Sequence, residues 1–339
     1  GVRYKLINTY DNSSEKLYDI PIVDFSSYSF SKFSIKFSEY DKCDDNSKEY
    51  SPNCEIFKHK NPFAEITDLK LPRNIKELYG EHAIDKGHFP SIDLSKYDQL
   101  ERLEIRIYSK DKYNLDKNGL NLPKSLIDLT IEKIDASENG FDFISDASQL
   151  QKILFVDNGL TSIPDAVFSF SNLEKLVIDK NDIVSIPKSI GDFKNLQILY
   201  LDENKIEQLP DEIGNLENLK HLGFTGNNIK MLPSTIGNLV NLETLHIDNN
   251  VITEIPSSIE NLENLQLLYA GKNKISKIPS QIGNLKNLKS LDLDQNNLSE
   301  IPTQIGNLKN LEYLYIRENA ITKLPSQIKN LKKLVTLYV

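Results

Sequence analysis

The residues best placed to recognise another molecule lie in the second half of the chain, in three columns that repeat every 23 positions. One column reads Leu154, Val177, Tyr200, Gly223, His246, Tyr269, Asp292, Tyr315 and Tyr338. Two positions earlier in each copy stand Lys152, Lys175, Ile198, His221, Thr244, Leu267, Ser290, Tyr313 and Thr336. Two positions later stand Val156, Asp179, Asp202, Thr225, Asp248, Gly271, Asp294 and Arg317. Tyr200, Tyr269, Tyr313 and Tyr315, with His221, His246, Asp202, Asp248 and Asp294, are the set to watch. This is the chemistry of contact, not of bond breaking. Tyrosine brings a large flat area, a polar tip and little rotamer entropy to lose, which is the composition of an interaction hot spot. Carboxylates beside it favour basic or hydroxyl-rich groups, and imidazoles change charge near pH 6. Solvation alone would fill such positions with Lys, Glu and Ser. High β propensity is the plainer source of tyrosine on strands, in a chain with 15 of them.

Bond-making chemistry has no comparable footing. The five histidines, His59, His82, His88, His221 and His246, have no Cys or His neighbour at zinc-ligand spacing. No nucleophile elbow, phosphate loop or dinucleotide fingerprint occurs. Asp135, Ser137, Asn139, Gly140 and Asp146 echo a calcium loop, but the closing Glu is missing, so a solvated insertion is the better reading. We therefore expect no catalytic residue, no cofactor and no metal. A net charge of −9 and a pI near 5.2 argue against nucleic acid and against an anionic membrane surface. No apolar run approaches the ~18 residues of a membrane span. Cys43 and Cys54 fit either a disulfide in a secreted domain or two thiols in a reducing cytoplasm. The opening GVRYK lacks Met, consistent with removal of a tag or targeting segment, so the start of the chain does not tell the compartment; localisation is left unknown, with a secreted or cell-surface setting slightly favoured over a cytoplasmic one.

The elements that must position the columns follow from the repeat itself. Asparagines fall at 158, 181, 204, 227, 250, 273, 296 and 319, each inside the same frame. That frame is Leu288, Leu291, Leu293, Asn296, Leu298, Ile301-Pro302, Ile305-Gly306 and Leu308. LxxLxL alternates apolar and variable residues, which predicts a short strand with one buried face. Ile282, Leu285 and Leu288 are spaced by three, which predicts a helical or 3₁₀ turn on the way back. Pro279 suits the start of that turn, since its φ is fixed and it has no N–H to lose. Gly283 is expected to relieve crowding on the return path, although Glu260 and Lys329 stand at equivalent points. One copy cannot bury its own apolar face, so copies must stack and pair their strands in parallel. The Asn is expected to bridge neighbouring turns, because its carboxamide carries an acceptor and two donors.

The pattern LxxLxLxxNxLxxIPxxIGNLxNL, continuous from Leu150 to Val339, closely resembles the leucine-rich repeat family in its 23-residue form. The resemblance implies an α/β right-handed solenoid, a parallel sheet on its concave face, short helical or 3₁₀ turns on its convex face, and a protein-binding role. Looser frames at Ile75-Leu78-Gly80, Leu100-Leu103-Ile105 and Leu126-Leu129-Ile131 make 63–149 an irregular run of the same repeats. Residues 1–62 differ: an alternating SSYSFSKFSIKFS and a turn-rich Asp41-to-Cys54 stretch read as a β-rich cap or a small β domain. Val339 closes on a strand, which leaves an open edge; either the natural protein continues or that edge pairs with another chain, and truncation is the favoured expectation. The expected function is a non-enzymatic scaffold that binds a protein on the concave face. Carbohydrate binding or an adhesion or spacer role is the alternative.

Overall fold

The computed structural model describes residues 76–82, 92–107, 120–136 and 141–339, plus the backbone of short strands before and between them. Within 1–62 these are Arg3–Leu6, Leu17–Asp19, Val23–Asp24 and Lys32–Phe37. The turn-rich stretch from Asp41 to Cys54, with both cysteines, lies outside the described residues, as do Ser137, Asn139 and Gly140 of the calcium-like loop. The chain divides into two compact units, Gly1–Gly159 and Leu160–Val339.

In the first unit, Lys32–Phe37, Glu77–His82, Arg102–Ile107, Asp128–Glu132 and Lys152–Val156 pair in parallel. Arg3–Leu6 joins Lys32–Phe37 antiparallel and carries Leu17–Asp19 on its other side. Leu103, Leu129 and Ile153 share one register, so the loosened frames keep a common core row. Phe141 and Phe155 fill the layer at a ring distance of 4.4 Å, both fully buried. The three-residue apolar spacing that predicts a return turn appears here as the 3₁₀ turn Asp142–Asp146.

The second unit is the regular solenoid. Eight strands of three residues each, from Lys175–Val177 to Thr336–Tyr338, pair in parallel and in sequence order. Eight 3₁₀ turns, from Asp165–Ser169 to Ser326–Asn330, alternate with them. Leu199, Leu222, Leu245, Leu268, Leu291 and Leu314 form the strand row of the core, each with no exposed surface. Ile213, Ile236, Ile259, Ile282 and Ile305 are the matching row from the 3₁₀ turns. Burying one such side chain stabilises by about 1.5–3 kcal/mol. Pro279 begins its turn at φ −66° and ψ 145°, extended just before the 3₁₀ residues, as proline at that place requires. A Cβ on Gly283 would stand 2.6 Å from the carbonyl oxygen of Gln304 in the next coil, so there glycine sets how closely coils approach.

The asparagine column ties the coils together. Asn227 Oδ1 accepts the N–H of Ile206 at 3.0 Å, in the preceding coil. Its Nδ2 donates to Leu201 O of that coil at 2.9 Å and to Phe224 O of its own at 3.0 Å. Asn204, Asn250, Asn273 and Asn296 repeat the arrangement, and every column member from Asn158 to Asn296 is 0–8% exposed. The residue before each Asn is left-handed, at φ between 52° and 57° in Asp157, Lys180, Glu203, Asn249, Lys272, Gln295 and Glu318. Gly226 takes the same role at φ 71°. That reversal turns the carboxamide inward. A second asparagine ladder supports the opposite side: Asn218, Asn241, Asn264 and Asn287 each donate to a carbonyl 24 residues back, at 2.7–2.9 Å.

Leucine at position 227 would strand the Ile206 N–H and the Leu201 and Phe224 carbonyls in the core. N227L should cost about 3–5 kcal/mol of unfolding free energy, given roughly 1–3 kcal/mol per orphaned buried group with partial relaxation. A urea titration that found it as stable as the parent would refute the role assigned to the column.

Candidate binding face

A three-residue strand leaves its middle residue in the core and its first and third on the outer side of the sheet. The residue two further on continues that side. The structure places all nine sequence-predicted residues on this one face of the second unit, but as two groups rather than one. Tyr200, His246 and Tyr269 form a chain of rings at 6.2 Å and 4.9 Å, tilted by 62° and 56°. Gly223 makes this possible. It lies in register between Tyr200 and His246, and a Cβ there would stand 2.6 Å from Tyr200 Cδ1. Thr244 anchors the group: its hydroxyl is 2.9 Å from His221 Nδ1 and hydrogen-bonded to Tyr200. The second group is Tyr313 and Tyr315, with Tyr315 packed at 5.4 Å on Tyr338. Asp292 stands between the groups, in register with Tyr269 on one side and Tyr315 on the other.

The three columns are less open than the sequence implies. Val177 and Ser290 are buried, at 6% and 4% exposure, and the tyrosines other than Tyr313 and Tyr338 are half-buried. The acidic column departs furthest from the expected solvated flank. Asp179 Oδ1 accepts the Asp202 N–H at 2.9 Å, Asp202 Oδ1 the Thr225 N–H at 2.6 Å, and Asp248 Oδ1 the Gly271 N–H at 3.0 Å. Asp294 Oδ1 accepts the Arg317 N–H at 2.7 Å. Each carboxylate thus caps a backbone donor in the next coil. Gly271 has no side chain to continue this ladder, and Asp292 Oδ1 accepts the Asp294 N–H instead, at 2.9 Å. This donor-capping role is invisible in the repeat pattern, since Asp on a surface strand reads as solvation. Thr244, Asp292, Gly223 and Gly271 were missed as site formers for a related reason: each matters through what its neighbour does.

Such carboxylates are uncomfortable as anions. Burial, followed by the charge of Asp179, pushes Asp202 up to about 7. Burial pushes Asp248 up to about 6, with Asp292 adding to it. Asp179 and Asp292 rise for the same first cause. Burial, then His221, lowers His246, which favours neutral imidazole. Asp294 is the exception in its pairing: Arg317 Nη2 and Nε lie 2.6 Å and 2.8 Å from its Oδ2, and the guanidinium sits 4.6 Å over the Tyr338 ring.

The first unit treats its own face differently. Arg102 bridges Glu77 at 3.7 Å and Asp128 at 3.1 Å across three strands, and Arg106 bridges Glu104 at 2.6 Å and Glu132 at 3.8 Å. Among the described residues no group of three or more His, Cys, Asp or Glu could hold a metal ion, and no helix is long and apolar enough to cross a membrane.

Comparison with known proteins agrees with the repeat. Residues 211–296 and 280–339 match the description "Leucine-rich repeat region", and residues 148–206 and 171–229 match "Leucine rich repeat". Curated protein sequences give no match. Among solved structures, a leucine-rich repeat protein of Leptospira interrogans is 25% identical, with 80% of this chain and 78% of that one covered and a TM-score of 0.63. An internalin of Listeria monocytogenes is 22% identical over 77% and 79% of the two chains, at a TM-score of 0.57. A plant receptor-kinase ectodomain from Arabidopsis thaliana, solved in complex with Casparian strip integrity factor 2, is 21% identical. There 80% of this chain covers 41% of the receptor, at a TM-score of 0.59.

Because Asp202 holds its proton to about pH 7 when folded, and only to about pH 4 when unfolded, its contribution to stability is full below pH 4 and is lost as pH rises through 7. D202N keeps an oxygen for the Thr225 N–H and removes the charge. It should be more stable than the parent at pH 8, by about 1–2 kcal/mol given partial solvation, and equal to it near pH 4. Urea melts of both proteins at the two pH values check this; a difference independent of pH would contradict it.

Proposed function

Because the chain belongs to the leucine-rich repeat family, we propose that it is a non-enzymatic scaffold that binds a protein partner on the strand face of its second unit. The contact residues are Tyr200, Asp202, His221, His246, Asp248, Tyr269, Asp294, Tyr313 and Tyr315. One observation carries the reading: aromatic rings stand on that face, ordered before any partner arrives. Tyr200, His246 and Tyr269 pack edge-on and tilted against one another, and Tyr315 against Tyr338. Their strands are pinned by hydrogen bonds on both sides. Binding to such a surface loses little side-chain entropy, so more of the contact energy appears as affinity. The first unit supports the contrast, since its face spends its polar groups on internal ion pairs. The plant receptor ectodomain, solved in complex with Casparian strip integrity factor 2, is a structural precedent for a repeat array of this fold holding a partner. The excess of carboxylates favours a partner whose contact surface is basic or rich in hydroxyls.

Replacing Tyr269 and Tyr315 together by Ala tests the reading, because both rings stand outside the apolar core rows. Capture of a partner by the immobilised chain should fall by about tenfold or more, as expected for two hot-spot aromatics. Unfolding free energy should move by no more than about 1–2 kcal/mol. Capture unchanged in the double variant, or lost only in step with stability, would defeat it. A glycan array run on the same pair separates protein from sugar recognition.

A further inference from the structure

We propose that Tyr269, Asp292 and Tyr315 form a seat for a single Arg or Lys side chain of the protein partner. The proposal rests on the binding-face reading above and adds a location and a chemical identity to it. The three residues occupy equivalent places on adjacent parallel strands, with the carboxylate between the rings. Strands lie about 4.8 Å apart, so the two rings spring from points about 10 Å apart. Tyr269 packs toward His246 and Tyr315 toward Tyr338, so the strip above Asp292 lies between the two rings, and a cation seated there would meet the carboxylate with a ring on either side, the setting of a cation–π contact.

Two features leave that place open. Gly271 contributes no side chain: a Cβ there would stand 3.1 Å from Asp292 Oδ1 and 3.4 Å from Asp248 Oδ1, so any larger residue would cover the carboxylates. Among the described residues, no cation lies within ion-pairing distance of Asp292 or Asp248; Lys272 and Arg317 act on Asp292, and Lys272 on Asp248, at longer range. Asp292 Oδ1 accepts the Asp294 N–H. Burial makes its charge costly, the Asp294 N–H relieves part of that and the Asp294 carboxylate adds to it, and an incoming cation would offset the remainder.

The neighbouring coil already carries the filled version. Arg317 places its guanidinium 4.6 Å over Tyr338 and binds Asp294 at 2.6 Å. Among the described residues, the chain thus pairs its own cation directly with one Tyr and Asp combination and not with the adjacent one. A matching basic side chain from outside completes the second.

The test pans a random peptide display library against the whole chain and measures the recovered peptides against variants. Recovered peptides should carry Arg or Lys, and replacing that residue by citrulline or norleucine should weaken binding about tenfold or more, on the scale of a buried charged contact. D292N, which keeps the oxygen for the Asp294 N–H, should weaken the basic peptides equally and leave the citrulline or norleucine peptides unaffected. If D292N and the neutral peptides bind as the parents do while Y269A/Y315A abolishes binding, the face stands and the cation seat falls. If Y269A/Y315A also binds normally, or no peptide is recovered, both fall.

Discussion

Everything in the second unit follows from one unmet need: the backbone donors and acceptors at the corner where each strand ends. The sheet cannot satisfy them and water cannot reach them. One carboxamide per coil does so, with its acceptor turned to the coil before and its donors shared between the two. That bond network is directional, so it fixes more than stability. It sets the offset of each coil on the last, and with it the in-register pairing of eight strands of only three residues. Apolar burial supplies most of the energy, as in any core. The asparagine decides that the energy is spent on one geometry. The cost appears just before it, in a left-handed residue in each coil, of which only one is glycine.

A framework this specified leaves few places for difference, and those places are on the strand face. The two glycines there are worth more than their size suggests. Gly223 lets the Tyr200 ring reach across toward His246, and Gly271 leaves Asp248 and Asp292 uncovered. Absence of a side chain shapes the surface as much as the rings do. The same positions in the first unit are filled by alternating acids and bases that answer one another. Two faces built on the same repeat logic therefore differ in what they have left to offer.

The repeat, the strand and turn in each copy, the place of Pro279 and the bridging role of the asparagines were legible in the sequence because each is a local requirement restated many times. Gly283 was legible as relief of crowding, and its neighbour Gln304 confirms it. The left-handed position was not: Lys180, Glu203, Lys272, Gln295 and Glu318 are residues that tolerate φ near 55° at a cost, without advertising it. The second asparagine ladder was overlooked because its members are exposed, and an exposed Asn looks like solvation until its partner 24 residues back is seen. The site residues were found as types and columns. Their division into two groups, and the backbone-capping by aspartates, depend on side-chain directions between coils that a single copy of the repeat does not encode.

The acidic column then poses a question of its own. As acceptors for the backbone N–H of Asp202, Thr225, Gly271 and Arg317, aspartates do nothing that asparagines could not do, and asparagine would carry no charge into a half-buried site. Asp202 and Asp248, held up to about 7 and 6, pay for that charge at neutral pH. The fold itself gains nothing from it, since repulsion from Asp179 and Asp292 adds to the cost of burial. Only Asp294 recovers the expense, through Arg317. A charge that the fold does not need, kept where rings are already packed around it, accords with the basic partner proposed for this face. Local rules are broken most readily where a protein meets its ligand, and here the broken rule is the one against burying carboxylates without cations.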